Sequence, residues 1–232
     1  MKKLIITVLT SIMFIGTSAY AGSIQIGTKV SQAFIAADGK EVTTAGSVAG
    51  GTADTHTKSV DNAVTLAGLY GEYSLDSSMW GQEGNEITFG GTYYFGEADV
   101  SDKLSSRSES AEDDAGSGSS GSVTYSANAE VQDYINYYVE MPLSGPIFVR
   151  LGASQIDVIT KEDADHEGSY GDATLDGINY GIGIKGLYGP LHVKLAYEAT
   201  DWDELSLTST TSNKITADLD VDEIALSVGY RF

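Results

Sequence analysis

Residues 223–232, "EIALSVGYRF", alternate strictly between apolar side chains and small or charged ones. The even positions are all apolar: Ile224, Leu226, Val228, Tyr230 and Phe232. The odd positions are small or charged: Glu223, Ala225, Ser227, Gly229 and Arg231. Successive side chains of a β-strand point to opposite faces, so this pattern predicts a strand with one apolar and one polar face. A water-soluble sandwich and a membrane barrel both contain such strands, and the rest of the chain distinguishes between them.

The first 21 residues have the layout of a bacterial secretory signal peptide. Two lysines precede an apolar run over residues 4–16, and "AYA", with small residues at Ala19 and Ala21, follows as a cleavage site. The run is shorter than the roughly 20 apolar residues that a transmembrane helix needs. We therefore expect export and cleavage after Ala21, with residues 22–232 forming one domain.

The exported chain is strongly acidic and contains no cysteine. Residues 1–21 hold two of the 13 Lys and Arg and none of the 33 Asp and Glu, so the remaining chain has a formal net charge of −22. This charge excludes nucleic acid as a partner, because the phosphates of nucleic acid carry the same sign. Without cysteine, the fold uses neither disulfides nor thiolate metal sites.

Eight stretches of alternating polarity predict eight β-strands after residue 21. Their approximate ranges are 23–35, 63–75, 86–97, 123–140, 147–159, 175–187, 191–202 and 224–232. Four long acidic connections, at 36–62, 98–122, 160–174 and 203–217, alternate with short ones that contain all three prolines. Long loops on one side and tight turns on the other are typical of outer-membrane barrels. We therefore predict an all-β, eight-stranded, antiparallel, up-and-down transmembrane β-barrel.

All five Lys and Arg inside these strands occupy one parity: Lys29, Arg150, Lys185, Lys194 and Arg231. Four glutamates, Glu72, Glu130, Glu198 and Glu223, share that parity. A soluble barrel has no reason to separate its charges so fully from the aliphatic and aromatic face. In a membrane barrel the charged parity faces the lumen, because a Lys or Arg on the lipid face at mid-bilayer costs roughly 2–4 kcal/mol.

The lumen is expected to be closed by these side chains. Four tyrosines share the parity of the charges: Tyr70, Tyr94, Tyr134 and Tyr138. The interior of an eight-stranded barrel is just wide enough for side chains to fill it. An unpaired charge in such a space is costly, so the charges should pair across the barrel, with Arg150 and Glu130 as examples of paired groups.

Asp133 does not fit the alternation of the fourth strand. It shares the lipid-facing parity of Ile135 and Tyr137. Two explanations are open: a β-bulge shifts the register at this point, or the lipid-facing stretch begins just below it.

The end of the chain resembles that of Gram-negative outer-membrane proteins. "GYRF" looks like their terminal Tyr-x-Phe signal, and this likeness implies that Tyr230 and Phe232 are recognised by the barrel-assembly machinery. The exported chain is similar to the OmpA-like and OmpX-like family of small eight-stranded barrels, most clearly in "VKLAYEATDWDELSL" and "DVDEIALSVGYRF". Members of that family share a shape more than a chemistry, so the resemblance says little about function.

Enzymatic, metal and cofactor sites are not expected. His56 and His166 lie in predicted loops without a catalytic motif, and His192 lies on the lumen face just after the "GP" turn. "DADHEG", residues 163–168, resembles the start of an EF-hand loop, but Thr174 stands where the bidentate Glu belongs. The acidic loops are expected to bind divalent cations weakly at most.

These observations together predict a monomeric, non-enzymatic outer-membrane protein with a side-chain-filled lumen and acidic extracellular loops. Its expected partners are outer-membrane lipid and lipopolysaccharide, and its expected role is structural or surface interaction. A narrow porin-like channel for small solutes is the alternative, and a lipid A-modifying enzyme is a weaker one.

Deleting Phe232, or changing Tyr230 to Asp, should impair assembly, because both residues belong to the expected assembly signal and to the lipid-facing parity. The measurement is the fraction of protein that reaches the outer membrane as a heat-modifiable barrel. Assembly of both variants at the wild-type level would contradict the membrane interpretation, and a soluble periplasmic wild-type protein would exclude it.

Overall fold

The computed structural model describes residues 22–43, 55–76, 86–100, 105–111, 121–163, 169–210 and 212–232. The predicted signal peptide, residues 1–21, lies outside these ranges. The strands are β1 (Gly22–Val42), β2 (Thr55–Asp76), β3 (Glu86–Phe95), β4 (Ala98–Asp99), β5 (Ser105–Ala111), β6 (Gly121–Ser144), β7 (Ile147–Asp163), β8 (Ala173–Tyr188), β9 (Leu191–Trp202), β10 (Leu205–Thr208) and β11 (Lys214–Arg231). Within the described ranges, no helix has the length and apolar character needed to cross a membrane.

Eight of these strands form a closed antiparallel ring, which confirms the predicted fold. Their order around the ring is β1, β2, β3, β6, β7, β8, β9 and β11, and β11 pairs back with β1. The closing pair is long and continuous, from Gln25 opposite Arg231 to Val42 opposite Lys214. Closure satisfies the backbone hydrogen bonds of both strands, which have no other partner available in lipid.

The strands of the ring are strongly tilted. The cross-strand partners of Ile26 run in turn through Gly71, Gly91, Tyr137, Ala153, Ile178, Asp201 and Asp220. Asp220 is opposite Ala36, so one circuit returns to β1 ten residues further along the strand. This shift of ten residues over eight strands tilts each strand against the barrel axis and keeps the interior narrow enough to be filled by side chains.

Several strands continue beyond the stretches that the alternation predicted. β1 reaches Val42 and β2 begins at Thr55, so much of the predicted 36–62 loop is strand. β5 pairs with β6 inside the predicted 98–122 loop, and β10 pairs with β11 inside the predicted 203–217 loop. The extensions of β1 and β2 are rich in polar residues and β10 has only four residues, so the sequence does not show the long apolar alternation that marks the membrane segments.

The outer wall carries a continuous band of exposed apolar side chains. Ile224 is 52 % exposed, whereas its neighbour Ala225, which points inward, is 1 % exposed. Other outward members of the band include Ile26, Val30, Leu69, Leu151, Ile182, Leu195 and Leu226. A soluble monomer rarely exposes an apolar patch larger than a few hundred Å². The band is therefore the surface that contacts lipid.

Tyrosine–aspartate pairs mark the upper edge of the apolar band, on the side away from the short turns. The hydroxyl of Tyr93 donates to Asp133 at 3.0 Å, and that of Tyr197 donates to Asp222 at 2.6 Å. Tyr180 lies 3.5 Å from Asp201 in the same way. Aromatic rings with a polar tip suit the boundary between hydrocarbon and water.

Asp133 lies in a β-bulge, which decides between the two explanations that the sequence left open. The pairing of β6 with β7 shifts between Gln132 and Ile135, and the φ of Asp133 is +50°. The extra residue reverses the parity of β6 above the bulge. Ala129 and Val131 consequently pack inward, against the buried apolar side chains of the upper lumen.

Replacing Asp133 with Val should destabilise the barrel by roughly 1–2 kcal/mol, because a β-branched side chain is strained at positive φ. Asp133→Gly is the matched control, because glycine adopts this φ without strain and removes the same carboxylate. The measurement is urea-induced unfolding in lipid vesicles. Equal losses for the two variants would show that the carboxylate matters and the backbone conformation does not.

Candidate functional site

The lumen inside the apolar band is packed with polar and charged side chains. Lys29, Lys194 and Glu140 are each 2 % exposed or less, and the Phe148 ring beside them is fully buried. The lower lumen is closed by neutral polar groups, where Gln25 donates to Ser74 at 3.0 Å and Ser74 lies 2.8 Å from Thr88. This filled interior is the most unusual feature of the molecule and is its candidate functional site.

Seven charged side chains form one continuous set of ion pairs across the lumen, which we term the lumen charge chain. Acidic and basic members alternate in the order Glu223, Lys29, Glu198, Arg150, Glu140, Lys194 and Glu72. They come from β1, β2, β6, β7, β9 and β11, so the chain of contacts ties together most of the barrel wall. None of the seven is more than 4 % exposed.

Arg150 and Glu198 form the centre of the lumen charge chain. Arg150 donates from Nη1 to Glu198 at 2.6 Å and from Nη2 to Glu140 at 2.5 Å. The Nζ of Lys29 lies 2.9 Å from both carboxylate oxygens of Glu198. Lys194 donates to Glu140 at 2.7 Å and also to Glu72. Each buried cation thus contacts two carboxylates, which offsets its loss of hydration.

Tyrosine hydroxyls complete both ends of the lumen charge chain. Glu223, which is 3.8 Å from Lys29, accepts hydrogen bonds from Tyr94 at 2.9 Å and Tyr134 at 3.0 Å. At the other end, Glu72 accepts one from Tyr138 at 2.7 Å. These donors stabilise the two carboxylates that have only one cationic neighbour each.

The lumen charge chain holds four carboxylates and three cations. If every group is ionised, the lumen charge chain has a net charge of −1. Lys185, on β8, faces the same part of the lumen and interacts electrostatically with Glu140, Glu86 and Glu72, although it forms no ion pair with any residue that the structure describes. In a medium of low dielectric constant such longer-range attraction is substantial. Lys185 is partly exposed and also faces Lys194, so it offsets the remaining negative charge only in part.

Two of the predicted lumen charges lie elsewhere. The prediction for Glu130 was wrong: it lies above the bulge, opposite Ile159, and its carboxylate accepts a hydrogen bond from Lys161, which is half exposed on the outer wall. That bond lowers the pKa of Glu130 and raises the pKa of Lys161. Arg231 pairs with Glu86 at the turn-side rim, where both side chains are about a quarter exposed.

Glu140 is the lumen residue that sequence reasoning missed. It has the same parity as Tyr138, so the alternation of β6 already indicated that Glu140 faces the lumen. It lies directly before "MP" at the end of the strand, and a charge in that position looks like part of a turn. The hydrogen bond between Glu140 and Arg150, which are directly opposite in the pairing of β6 with β7, places it inside the lumen.

Above the lumen charge chain, the interior of the barrel changes from charged to apolar. We term this layer the upper apolar cluster; its buried members are Ala33, Ile35, Tyr94, Tyr134, Ile156, Val158, Leu175, Trp202, Leu205, Leu219 and Val221. Tyr94 stacks on Tyr134 with ring centroids 4.4 Å apart, and Trp202 meets Tyr134 edge-on at 5.5 Å. The layer separates the charges below from the loop side of the barrel.

The two histidines that the structure describes lie apart from each other. His192 is 3 % exposed in the turn-side half of the lumen, and its Nδ1 has no hydrogen-bond partner among the described groups. His56 lies on β2, opposite Glu41 on β1. His166, with most of the EF-hand-like stretch, lies outside the described residues. Within the described ranges, no three His, Asp or Glu side chains are arranged to hold a metal ion.

No protein-family model matches the chain, and no curated protein sequence matches it either. The OmpA-like and OmpX-like resemblance therefore stays a prediction.

Several solved structures are similar to this chain over most of its length. They include the attachment invasion locus protein Ail of Yersinia pestis, solved with a heparin analogue, with 14 % identity, 91 % of this chain and 99 % of that chain covered and a TM-score of 0.41. The outer membrane protease OmpT of Escherichia coli has 11 % identity, coverages of 94 % and 99 % and a TM-score of 0.44. Neisserial surface protein A has 8 % identity, coverages of 91 % and 97 % and a TM-score of 0.32.

Arg150→Ala should lower the free energy of unfolding by about 3–5 kcal/mol, because it leaves Glu140 and Glu198 short of a partner in a buried site. Arg231→Ala is the matched control and should cost less than about 1 kcal/mol, because its ion pair with Glu86 is at the rim and partly hydrated. Glu130→Ala should also cost little, although Glu130 is only 4 % exposed, because it lies outside the charge chain and the partner that it leaves, Lys161, is half exposed and stays hydrated. Urea-induced unfolding in vesicles measures all three, and equal losses for Arg150→Ala and Arg231→Ala would contradict the burial of the charge chain.

Proposed function

We propose that this chain is an integral outer-membrane β-barrel with a closed lumen, whose role is to span the membrane and display acidic loops at the cell surface. The apolar band on the outer wall supports membrane insertion. The signal peptide expected over residues 1–21 and the barrel form support the outer membrane, because closed β-barrels with an apolar outer band are the form in which strands span that membrane. We expect a monomer, because the ring closes within one chain and needs no strand from a partner.

The filling of the lumen is the observation that carries the proposal. Two layers of different chemistry close the same interior: the lumen charge chain within the membrane and the upper apolar cluster above it. Ions crossing the barrel would have to break paired buried charges and then enter an apolar layer. Each of these steps is costly, because both layers are shielded from water.

A structural or surface-interaction role is proposed rather than an enzymatic one. Nucleophilic catalysis needs a base that is hydrogen-bonded to its nucleophile and oriented by a third group. The buried His192 has an unpartnered Nδ1 and lies on the turn side, away from the acidic loops. The acidic residues at the upper edge of the band, such as Asp201 opposite Asp220, face outward, where they meet lipopolysaccharide and its divalent cations.

Wild-type protein in a planar lipid bilayer should show no steady open level, because both layers of the lumen are closed. Trp202→Ala changes only the upper apolar cluster, and Lys194→Ala changes only the lumen charge chain. Each variant therefore keeps one closed layer and should show no steady open level. The double variant should leak. Heat-modifiability of each variant shows whether it has folded before it is measured.

A stable open level from the wild-type protein would contradict the closed lumen and favour the narrow channel. Leakage from Lys194→Ala alone would show that the upper apolar cluster does not exclude ions by itself. Arg231→Ala, which changes a rim charge outside both layers, is the control and should conduct no more than the wild type.

A further inference from the structure

A small apolar cavity lies within the upper apolar cluster. Its volume is about 40 Å³, and Ala33, Ile35, Ile156 and Leu219 are among its lining residues. The space is large enough for water, but a buried water needs two to four polar partners. The lining residues offer at most one free donor, on Trp202, because the hydroxyls of Tyr94 and Tyr134 already donate to Glu223. The cavity therefore suits a hydrocarbon group.

One residue of the lining carries a buried polar atom without a partner. Trp202 is 9 % exposed, and its indole Nε1–H donates to no group that the structure describes. A buried donor left without an acceptor is costly. An apolar occupant that carried one acceptor oxygen would fill the space and also satisfy this donor.

The cavity reaches the barrel wall at a seam between β2 and the segment that joins β3 to β4. The pairing of β2 with β3 ends at Ala67 opposite Phe95, and above that point β2 pairs only with β1 among the described strands. Val64 and Leu66 point inward next to the seam but are only partly buried. Phe95 both lines the cavity and is 47 % exposed on the lipid side. The seam therefore opens at the upper edge of the apolar band.

The charges around the seam are acidic. Glu97 and Asp99 are exposed beside it, and Asn62 bridges it by donating to the backbone oxygen of Asp99 at 2.9 Å. A carboxylate ligand would be repelled there, whereas a neutral oxygen would not.

We propose that the seam admits a slender, neutral, apolar molecule from the outer leaflet, and that its acceptor oxygen binds the indole N–H of Trp202. The site takes the end of a hydrocarbon chain with a hydroxyl, ester or ketone oxygen. It lies above the lumen charge chain, so binding requires no opening of the lumen, and this function goes beyond the proposed role of a closed barrel.

The test uses the whole folded barrel, labelled with ¹⁵N-tryptophan, in detergent micelles. The chain has two tryptophans, so the indole N–H signal of Trp80 is an internal control for Trp202. Three probes share a chain length: 1-octanol has a neutral acceptor, octane has none, and octanoate is an anion. Octanol should shift the Trp202 signal saturably while the Trp80 signal stays in place. It should bind about tenfold more tightly than octane, which cannot accept the hydrogen bond.

Ala98→Phe narrows the seam from its β4 side and should abolish the octanol shift. Ala63→Phe, on the exposed outer face of β2 beside the same seam, is the matched control and should retain it. Equal shifts of the Trp202 and Trp80 signals would overturn the proposal, as would no shift of Trp202 in the wild-type protein. Equal binding of octane, or tighter binding of octanoate, would overturn the assigned ligand chemistry. Channel recordings are independent of this result, so each proposal can fail alone.

Discussion

The pairing of β11 with β1 is the constraint on which the rest of the structure depends. A strand edge in lipid has no water to satisfy its backbone N–H and C=O groups, so a sheet that crosses a bilayer has to close. Closure over eight strands with a shift of ten residues fixes a narrow interior. A narrow interior brings side chains from opposite walls into contact, and their chemistry then has to be mutually compatible.

The lumen charge chain shows how that requirement is met. Burying three cations and four carboxylates would be prohibitive for isolated groups, but each cation contacts two carboxylates and the terminal carboxylates accept tyrosine hydrogen bonds. The Arg150 guanidinium also lies 3.8 Å from the centroid of the Tyr138 ring, which adds a cation–π contact. Removing any single member leaves a buried charge short of a partner, so every such substitution is expected to destabilise the network. Above it, the upper apolar cluster excludes water without using charge.

The polarity of the two faces of the barrel wall changes with height above the short turns. Within the apolar band the outer wall is apolar and the lumen is charged, whereas above the band the lumen is apolar and the outer wall carries aspartates. The Tyr93–Asp133 and Tyr197–Asp222 hydrogen bonds lie at the level where this inversion occurs. The same strands therefore serve as a membrane span below and as a water-soluble barrel above, with the solvent setting which face is polar.

The sequence alone determined the eight strands, the lipid-facing direction of Ile224 and the other apolar residues of its strand, and the inward direction of Lys29, Arg150 and Glu198. A period of two is local information, so a single chain displays it. The partners of those charges were decided by the tertiary structure, because strand stagger and tilt set which side chains meet across the lumen. The bulge at Asp133 is the clearest case: one extra residue turned Glu130 outward and Val131 inward, and no local pattern distinguishes a bulge from a strand end. The polar strand extensions and the cavity beside Trp202 likewise depend on contacts between distant segments, which backbone pairing and side-chain packing create only when the ring closes.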